Sequence, residues 1–498
     1  MSPNQDPSKT PNTISLDSFP IIHSSAKDFF SKFIKSLLFI FFVASISLVF
    51  FSAFSTQSRW LRCPVCLTRN EYPEETQEPH RLPPPLSNET NLSHIVFGIG
   101  GSGTTWKDRR HYSQLWWKPN QTRGFVWLDH KPINYNDEDE DNTCPPYRVS
   151  EPTSRFTNGL RPAIRISRIV VESFRLGLPN VRWFVMGDDD TVFFPDNLVT
   201  LLSRYDHNQM YYIGGNSESV EQNVMHSYDM AFGGGGFAIS YPLAAQLNKV
   251  LDGCIQRYWD LYGSDQRIES CLSEIGVSMT RNRGFHQFDI RGNPYGLLAA
   301  HPLTPLITLH HLDAVSPLIP NNTQMESLGL LFEAYKVDPA RIIQQSFCHD
   351  LVRNWSLSVS WGYTVQLYPS LLRAKVLNTA LDTFKTWRSW KNGPFTFNTR
   401  PISSDPCERP LIFFFDRIDD LGKLSVGFYK RFVGETGYDC DRAPRAINRV
   451  IVSAPKMDPN EWKKAPRRQC CQVVNRLDGA VHVRIRHCKP GESVSTLP

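Results

Sequence analysis

Three consecutive carboxylates, Asp188, Asp189 and Asp190, interrupt an otherwise apolar stretch that runs from Val181 to Phe194. The residues before them are aromatic or branched and of strand length, and a second apolar run follows at once. Acids at the mouth of a buried strand repel one another and resist desolvation. They require a counter-charge, most simply an oxygen-preferring divalent cation such as Mn2+ or Mg2+. Such a cation would in turn hold a diphosphate. An acidic hairpin turn accounts for the acidity alone equally well, so the rest of the chain must decide.

The elements that would position these acids alternate between strand and helix. His94–Ile99 reads as a strand running into Gly100-Gly101-Ser102-Gly103-Thr104-Thr105 and then a helix carrying Arg109. Gly98, Gly100 and Gly103 satisfy the dinucleotide-binding spacing, and the next strand ends in Asp129, an acid able to hold a ribose or a base. Arg161-Pro162 opens an amphipathic helix closed by Gly177, and Pro195-Asp196 opens another. Gly233–Gly236 precede an apolar strand, where Gly235 and Gly236 let the backbone approach a bulky ligand and offer N–H donors. Helices starting at Pro242 and at Ser264-Asp265 place Cys254 and Cys271 on their inward stripes, a geometry that allows a disulfide. The stretch Pro305–Asp313 reads as a strand ending in His310 and His311. If it is extended they point to opposite faces, so at most one reaches the acids. This succession describes a Rossmann-like α/β domain.

The chain has 498 residues, enough for two or three domains, and its 54 basic and 49 acidic residues leave a net charge of +5 without a basic stripe, which argues against nucleic acid as a partner. Ser36–Ser55 is uncharged and mostly apolar, about the twenty residues that a membrane-crossing helix needs. It reads as a retained anchor. The expected organisation is a cytosolic tail (1–35), a transmembrane anchor (36–55), a Pro-rich stem (56–93), an α/β domain (94–320) and a β-rich, disulfide-braced C-terminal module (321–498). Glycosylation acceptors at Asn88, Asn91, Asn120, Asn321 and Asn354 all follow the span, as do cysteines suited to an oxidising compartment. Together they place the bulk of the chain in the secretory lumen as a single-pass type II protein. The acidic run Asp137–Asp141 reads as a solvated loop.

Acids after a central strand in a lumen-facing α/β domain point to sugar transfer from a nucleotide diphosphate. A metal would neutralise the leaving diphosphate, and one carboxylate would take the acceptor proton in a single displacement with inversion. His94–Pro320 resembles the fringe-like branch of glycosyltransferase family 31, in particular its plant members of unknown function with a long C-terminal region. The resemblance rests on Thr104-Thr105-Trp106 with Arg109, on Trp183–Val192, on Gly233–Ser240, on Gly263-Ser264-Asp265 and on Thr308–His311, in the family's order. It implies a GT-A fold, a UDP-sugar donor, a glycan or glycoprotein acceptor, a β-1,3 linkage, Mn2+ (or Mg2+) as cofactor and residence in the Golgi membrane. By that resemblance Asp188, Asp190 and His310 would hold the metal, and Asp265 would be the general base. Thr104, Thr105, Arg109, Asp129, Asp189, Gly235 and Gly236 would bind the nucleotide-sugar. Fringe proteins carry paired acids before the base helix, where this chain has Gly263-Ser264-Asp265. Asp265 is therefore the sole candidate there, with Asp260 as a fallback. Two other readings stay open at this point: a non-catalytic glycan- or nucleotide-sugar-binding protein, and an NAD-dependent enzyme resting on the glycine spacing.

Overall fold

A computed structural model describes residues 33–48, 89–132, 142–433, 440, 444, 446–477, 479–495 and 497. The chain divides into two compact units, Met1–Pro85 and Leu86–Pro498. In the first, residues 33–48 form helix α1, with exposed apolar side chains such as Leu38 and Phe41. The expected tail and stem lie outside the described residues except for 33–35 and 89–93, and so does the end of the expected anchor, 49–55. Among the described residues no helix is long and apolar enough to cross a membrane.

The second unit is a mixed α/β structure around a central sheet. Strands β1 (Ile95–Gly100), β2 (Gly124–Leu128), β3 (Tyr147–Val149), β4 (Trp183–Asp188), β6 (Tyr212–Gly214), β7 (Phe237–Ser240) and β8 (Met279–Arg281) form a seven-stranded sheet in the order β3-β2-β1-β4-β7-β6-β8. The first four are parallel, β7 runs antiparallel to both neighbours, and β8 is parallel to β6. Strand β1 is buried along its whole length, as a near-continuous apolar run in a parallel sheet demands. Its side chains alternate between two cores. Ile95, Phe97 and Ile99 join Trp183 and Val185 of β4 on one face, against helix α2 (Trp106–Trp116). Val96, Phe184 and Met186 join the other, against helix α3 (Arg161–Arg175). The predicted helix opened by Arg161-Pro162 and closed by Gly177, at φ 61°, is therefore present.

Helix α4 (Pro195–Leu202) begins at the expected proline, α5 (Val220–Met225) is a short surface turn, and α6 (Tyr241–Arg257) and α7 (Ser264–Ile275) pack on the α3 face. The Cys254–Cys271 disulfide links α6 to α7. Arg168 of α3, fully buried, is held by Glu151, Glu172 and Asp252 at 2.7–2.9 Å, which ties α3 to α6 through a compensated internal charge. A three-stranded sheet of β5 (Val192–Phe193), β9 (Phe285–His286) and β11 (Thr308–Leu309) stands beside the acids.

The C-terminal region is the β-rich structure expected. Its eight-stranded sheet runs Gln345–Asp350, Trp355–Ser360, Thr364–Tyr368, Leu411–Asp420, Leu424–Phe432, Arg449–Pro455, Ala480–Arg486, Cys470–Leu477 in space. The disulfide Cys348–Cys471 joins the first of these strands to the last, and Cys407–Cys440 and Cys470–Cys488 brace the loops. This sheet shares one continuous apolar core with the α2 face of the central sheet. Strand β10 (Ile290–Gly292) pairs antiparallel with Phe384–Thr386, and the Tyr335 hydroxyl accepts from the Asp196 N–H at 2.9 Å.

Candidate active site

Strand β4 ends at Asp188, beside the end of β1, with Gly100 opposite Asp188 in register. Strands β1–β2–β3 run off to one side and β4 leads to the other, so the acids sit at the carboxyl ends of parallel strands where the strand order reverses. In open α/β sheets that is where ligands bind. A Cβ on Gly100 would stand 3.2 Å from an Asp188 oxygen and one on Gly101 3.1 Å from an Asp189 oxygen, so glycine at both keeps the acids close to the first loop.

Three side chains converge on this edge. His310 Nε2 lies 3.1 Å from Asp190 Oδ1 and 3.9 Å from Asp188 Oδ2. Asp188, Asp190 and His310 each offer one ligand atom, and these atoms lie within 4.8 Å of one another. Arg109 reaches in from α2, 2.9 Å from Asp189 and 3.6 Å from Asp190. Burial alone would raise Asp190, but the charge and hydrogen bond of His310, then Arg109, hold its carboxyl well below the usual carboxylate range. Asp188 goes the other way. Burial in the cleft wall, then the charges of Asp190, Asp265 and Asp189, push its carboxyl well above the ordinary value. Asp189 is also raised, by burial, against the pull of Arg109. The cluster thus holds more carboxylates than its cations satisfy. The His310 Nδ1 is buried with no hydrogen-bond partner among the described residues. An all-oxygen and imidazole donor set with surplus negative charge fits a hard or borderline divalent ion.

The glycine run explains itself at this point. A Cβ on Gly234 would stand 2.1 Å from His310 Cε1, so only glycine admits the imidazole. The Gly233 N–H donates to Asp265 Oδ2 at 2.8 Å, and the Ser264 hydroxyl donates to Asp265 Oδ1 at 2.7 Å. Asp265 therefore stands at the start of α7 with its oxygens oriented. It lines the same small cavity as Asp188, of about 20 Å³, whose wall includes Gly187, Gly233 and Ser264 beside apolar Ile169, Val170 and Met186. Gly235 and Gly236 are buried, and the Gly235 N–H donates to Gln287 Oε1 at 2.7 Å. That donor is already used inside the protein.

The remaining expected residues are dispersed. Thr104 and Thr105 are exposed at the start of α2. Asp129 accepts from the Gly103 N–H at 2.9 Å, the His130 N–H at 3.1 Å and the Ser102 hydroxyl at 3.2 Å, so it holds the first loop in shape. Asp260 is exposed, in the turn before α7.

The expectation of an extended strand through Pro305–Asp313 fails. Strand β11 stops at Leu309 and His311 takes a left-handed backbone, φ 63°. The two imidazoles consequently lie side by side, ring centroids 3.9 Å apart, instead of on opposite faces. His311 bonds Asp289 at 3.0 Å and stacks on Trp387 of the C-terminal region at 4.8 Å, nearly parallel. Gln287 and Trp387 were not legible as neighbours of the site, because each comes from a turn or a distant segment. Thr191 was within reach: it follows the acids directly, accepts from the Asp188 N–H at 2.8 Å and donates to the Gly234 carbonyl at 2.7 Å.

Residues 222–471 match a family model described as "Protein of unknown function, DUF604", and residues 113–291 match one described as "Fringe-like". The two matches bear out the resemblance read from the motifs, and the second supports a glycosyltransferase activity. No curated protein sequence matches the chain. Among solved structures, one similar chain is the "crystal structure of a glycosyltransferase involved in the glycosylation of the major capsid of PBCV-1", with 13% identity, 47% of this chain and 98% of that chain covered, and a TM-score of 0.25.

Proposed function

The chain belongs to the DUF604 family, and on that premise we propose that it is an inverting, metal-assisted glycosyltransferase of GT-A type. It moves a sugar from a UDP-sugar to a hydroxyl of a glycan or glycoprotein, with a β-1,3 linkage as the family resemblance implies. The observation that carries the reading is the Asp188, Asp190 and His310 cluster with Asp265 close by, Asp188 and Asp265 lining one small cavity. Asp188, Asp190 and His310 would hold Mn2+ or Mg2+, which when bound supplies charge neutralisation for a leaving diphosphate. Arg109, paired with Asp189 and Asp190, adds a fixed positive charge on the same side. Asp265, oriented by the Gly233 N–H and the Ser264 hydroxyl, accepts the proton of the incoming hydroxyl. Thr104, Thr105 and Asp129 belong to the loop that would meet the nucleoside. The four described acceptor asparagines, Asn91, Asn120, Asn321 and Asn354, are all exposed, which suits a Golgi-membrane protein anchored by 36–55 and glycosylated on its way through the secretory lumen.

The test is UDP release by the full-length protein from a panel of UDP-sugars, with and without Mn2+, beside Asp190→Ala and Asp265→Asn. The expected result is metal-dependent release from one donor, abolished in Asp190→Ala. Asp265→Asn keeps the carbonyl oxygen that accepts from Gly233, so it should bind UDP with Mn2+ normally and transfer about 10²–10⁴-fold more slowly. If neither UDP nor Mn2+ binds, the reading is wrong.

A further inference from the structure

A second cavity, of about 540 Å³, lies between the β8–β9 edge and the C-terminal region, in the size range of small-ligand sites. Arg281, Arg283 and Lys375 line it. Behind them the Arg468 guanidinium donates to Asn378 Oδ1 at 2.6 Å and to backbone carbonyls. Burial, then the like charge of Arg283, pushes Arg468 down to about 10, so two guanidiniums are held near each other. Among the described residues none of these four cations has a carboxylate partner. Glu218, the acid of the lining, is already engaged: one oxygen meets His286 Nδ1 at 2.8 Å and the other accepts the Phe288 N–H at 2.7 Å. Three lining cations against the one lining carboxylate of Glu218 leave surplus positive charge, which suits an external anion.

The rest of the wall mixes amides and hydroxyls (Asn216, Asn282, Asn378, Asn398, Thr379 and Thr396) with an apolar side that includes Phe285, Leu297 and Phe397. Asn216 donates to the Tyr228 carbonyl at 2.8 Å, while its buried Oδ1 has no partner among the described residues. Side-chain amides and hydroxyls of this kind pair readily with the hydroxyls of a sugar. We propose that this cavity binds an anionic saccharide, a sugar bearing a carboxylate or a sulfate ester, at a site separate from the Asp188–Asp190 cluster. Its wall residue His286 lies on β9, in register with Leu309 just before His310, so the two sites flank the same small sheet.

Calorimetric titration of the full-length protein, without any nucleotide-sugar, tests this. The probes are a galacturonate tetramer, a sulfated galactose tetramer, a neutral galactose tetramer and inorganic sulfate. One of the two anionic tetramers should bind, at least tenfold tighter than the neutral one and more weakly as salt rises, and which of them binds identifies the anion. Arg283→Gln and Lys375→Gln, both at exposed positions, should each weaken it about tenfold, and Asp190→Ala should leave it unchanged. The proposal is overturned if the neutral tetramer or bare sulfate binds as tightly, if the two glutamine variants bind like the parent, if Asp190→Ala abolishes binding, or if no probe binds. Because no donor is present, it can fail while UDP release succeeds, and the reverse.

Discussion

Replacing Gly234 by alanine isolates the contribution of His310 without touching a ligand. The added Cβ would stand 2.1 Å from Cε1, 2.5 Å from Nε2 and 2.6 Å from Nδ1 of the imidazole. Carbon atoms in contact sit about 3.5–4.0 Å apart, so the ring must retreat by roughly 1.4 Å. It cannot simply tilt, because it is buried and stacked on His311. Ligand distances in a metal site tolerate only about 0.2 Å, so the displaced ring leaves the cluster. Mn2+ affinity should then fall at least 10–100-fold, about 1.4–2.8 kcal/mol, while overpacking lowers fold stability by about 1–3 kcal/mol. Titration calorimetry with Mn2+ reads the first effect, and thermal unfolding in excess chelator reads the second. Gly177→Ala is the control: φ there is 61° with nothing within 4 Å of the new Cβ, so it costs backbone strain alone and should leave affinity untouched. A folded Gly234→Ala protein that binds Mn2+ like the parent would refute the assignment of His310 to the metal.

Two further outcomes are expected. Because burial and then the neighbouring acids raise Asp188, a proton competes with a cation there more strongly than at a free carboxylate. Mn2+ binding should therefore release protons and weaken as pH falls through that raised range, which calorimetry in two buffers of different ionisation enthalpy detects; binding with no proton release would contradict the raised Asp188. Removing the Cys254–Cys271 bond, which closes a loop of sequence separation 17, by the double change to serine should cost about 3 kcal/mol of stability. A melting temperature equal to the parent's would mean that α6–α7 packing alone fixes this face.

The central sheet and the acid edge were legible because local rules coincide there. An apolar run ending in Asp188-Asp189-Asp190 combines strand periodicity with a charge that has no apolar alternative, and the helix openings at Arg161-Pro162, Pro195 and Ser264 follow cap and proline chemistry. The His310–His311 pair was misread because a single left-handed residue, His311, reverses the direction that alternation predicts. Nothing in a β-branched or aromatic pattern announces that turn. The role of Gly234 was hidden for another reason: a glycine run reads as ligand approach, but here it admits an internal imidazole. Asp129, expected on the nucleoside, also accepts three hydrogen bonds, two of them from the Ser102-Gly103 loop, a use that spacing cannot distinguish from ribose binding.

The boundary between the two matched families carries structural meaning. The Fringe-like match ends at residue 291, within β10, the strand that pairs with Phe384–Thr386 of the C-terminal region. The DUF604 match begins in α5 and continues to residue 471, so it spans that seam. Along the seam Trp387 stacks on His311, and His311 on His310. Arg291 of β10 covers the Trp387 ring at 3.8 Å. Ring contacts thus lead from Trp387 of the C-terminal region through His311 to an imidazole of the candidate metal cluster. The C-terminal region therefore helps fix the position of His310 through the segment that follows its pairing with β10. Deleting the C-terminal region would expose the shared core and free His311 from Trp387 together, so the α/β sheet alone is not expected to assemble the cluster.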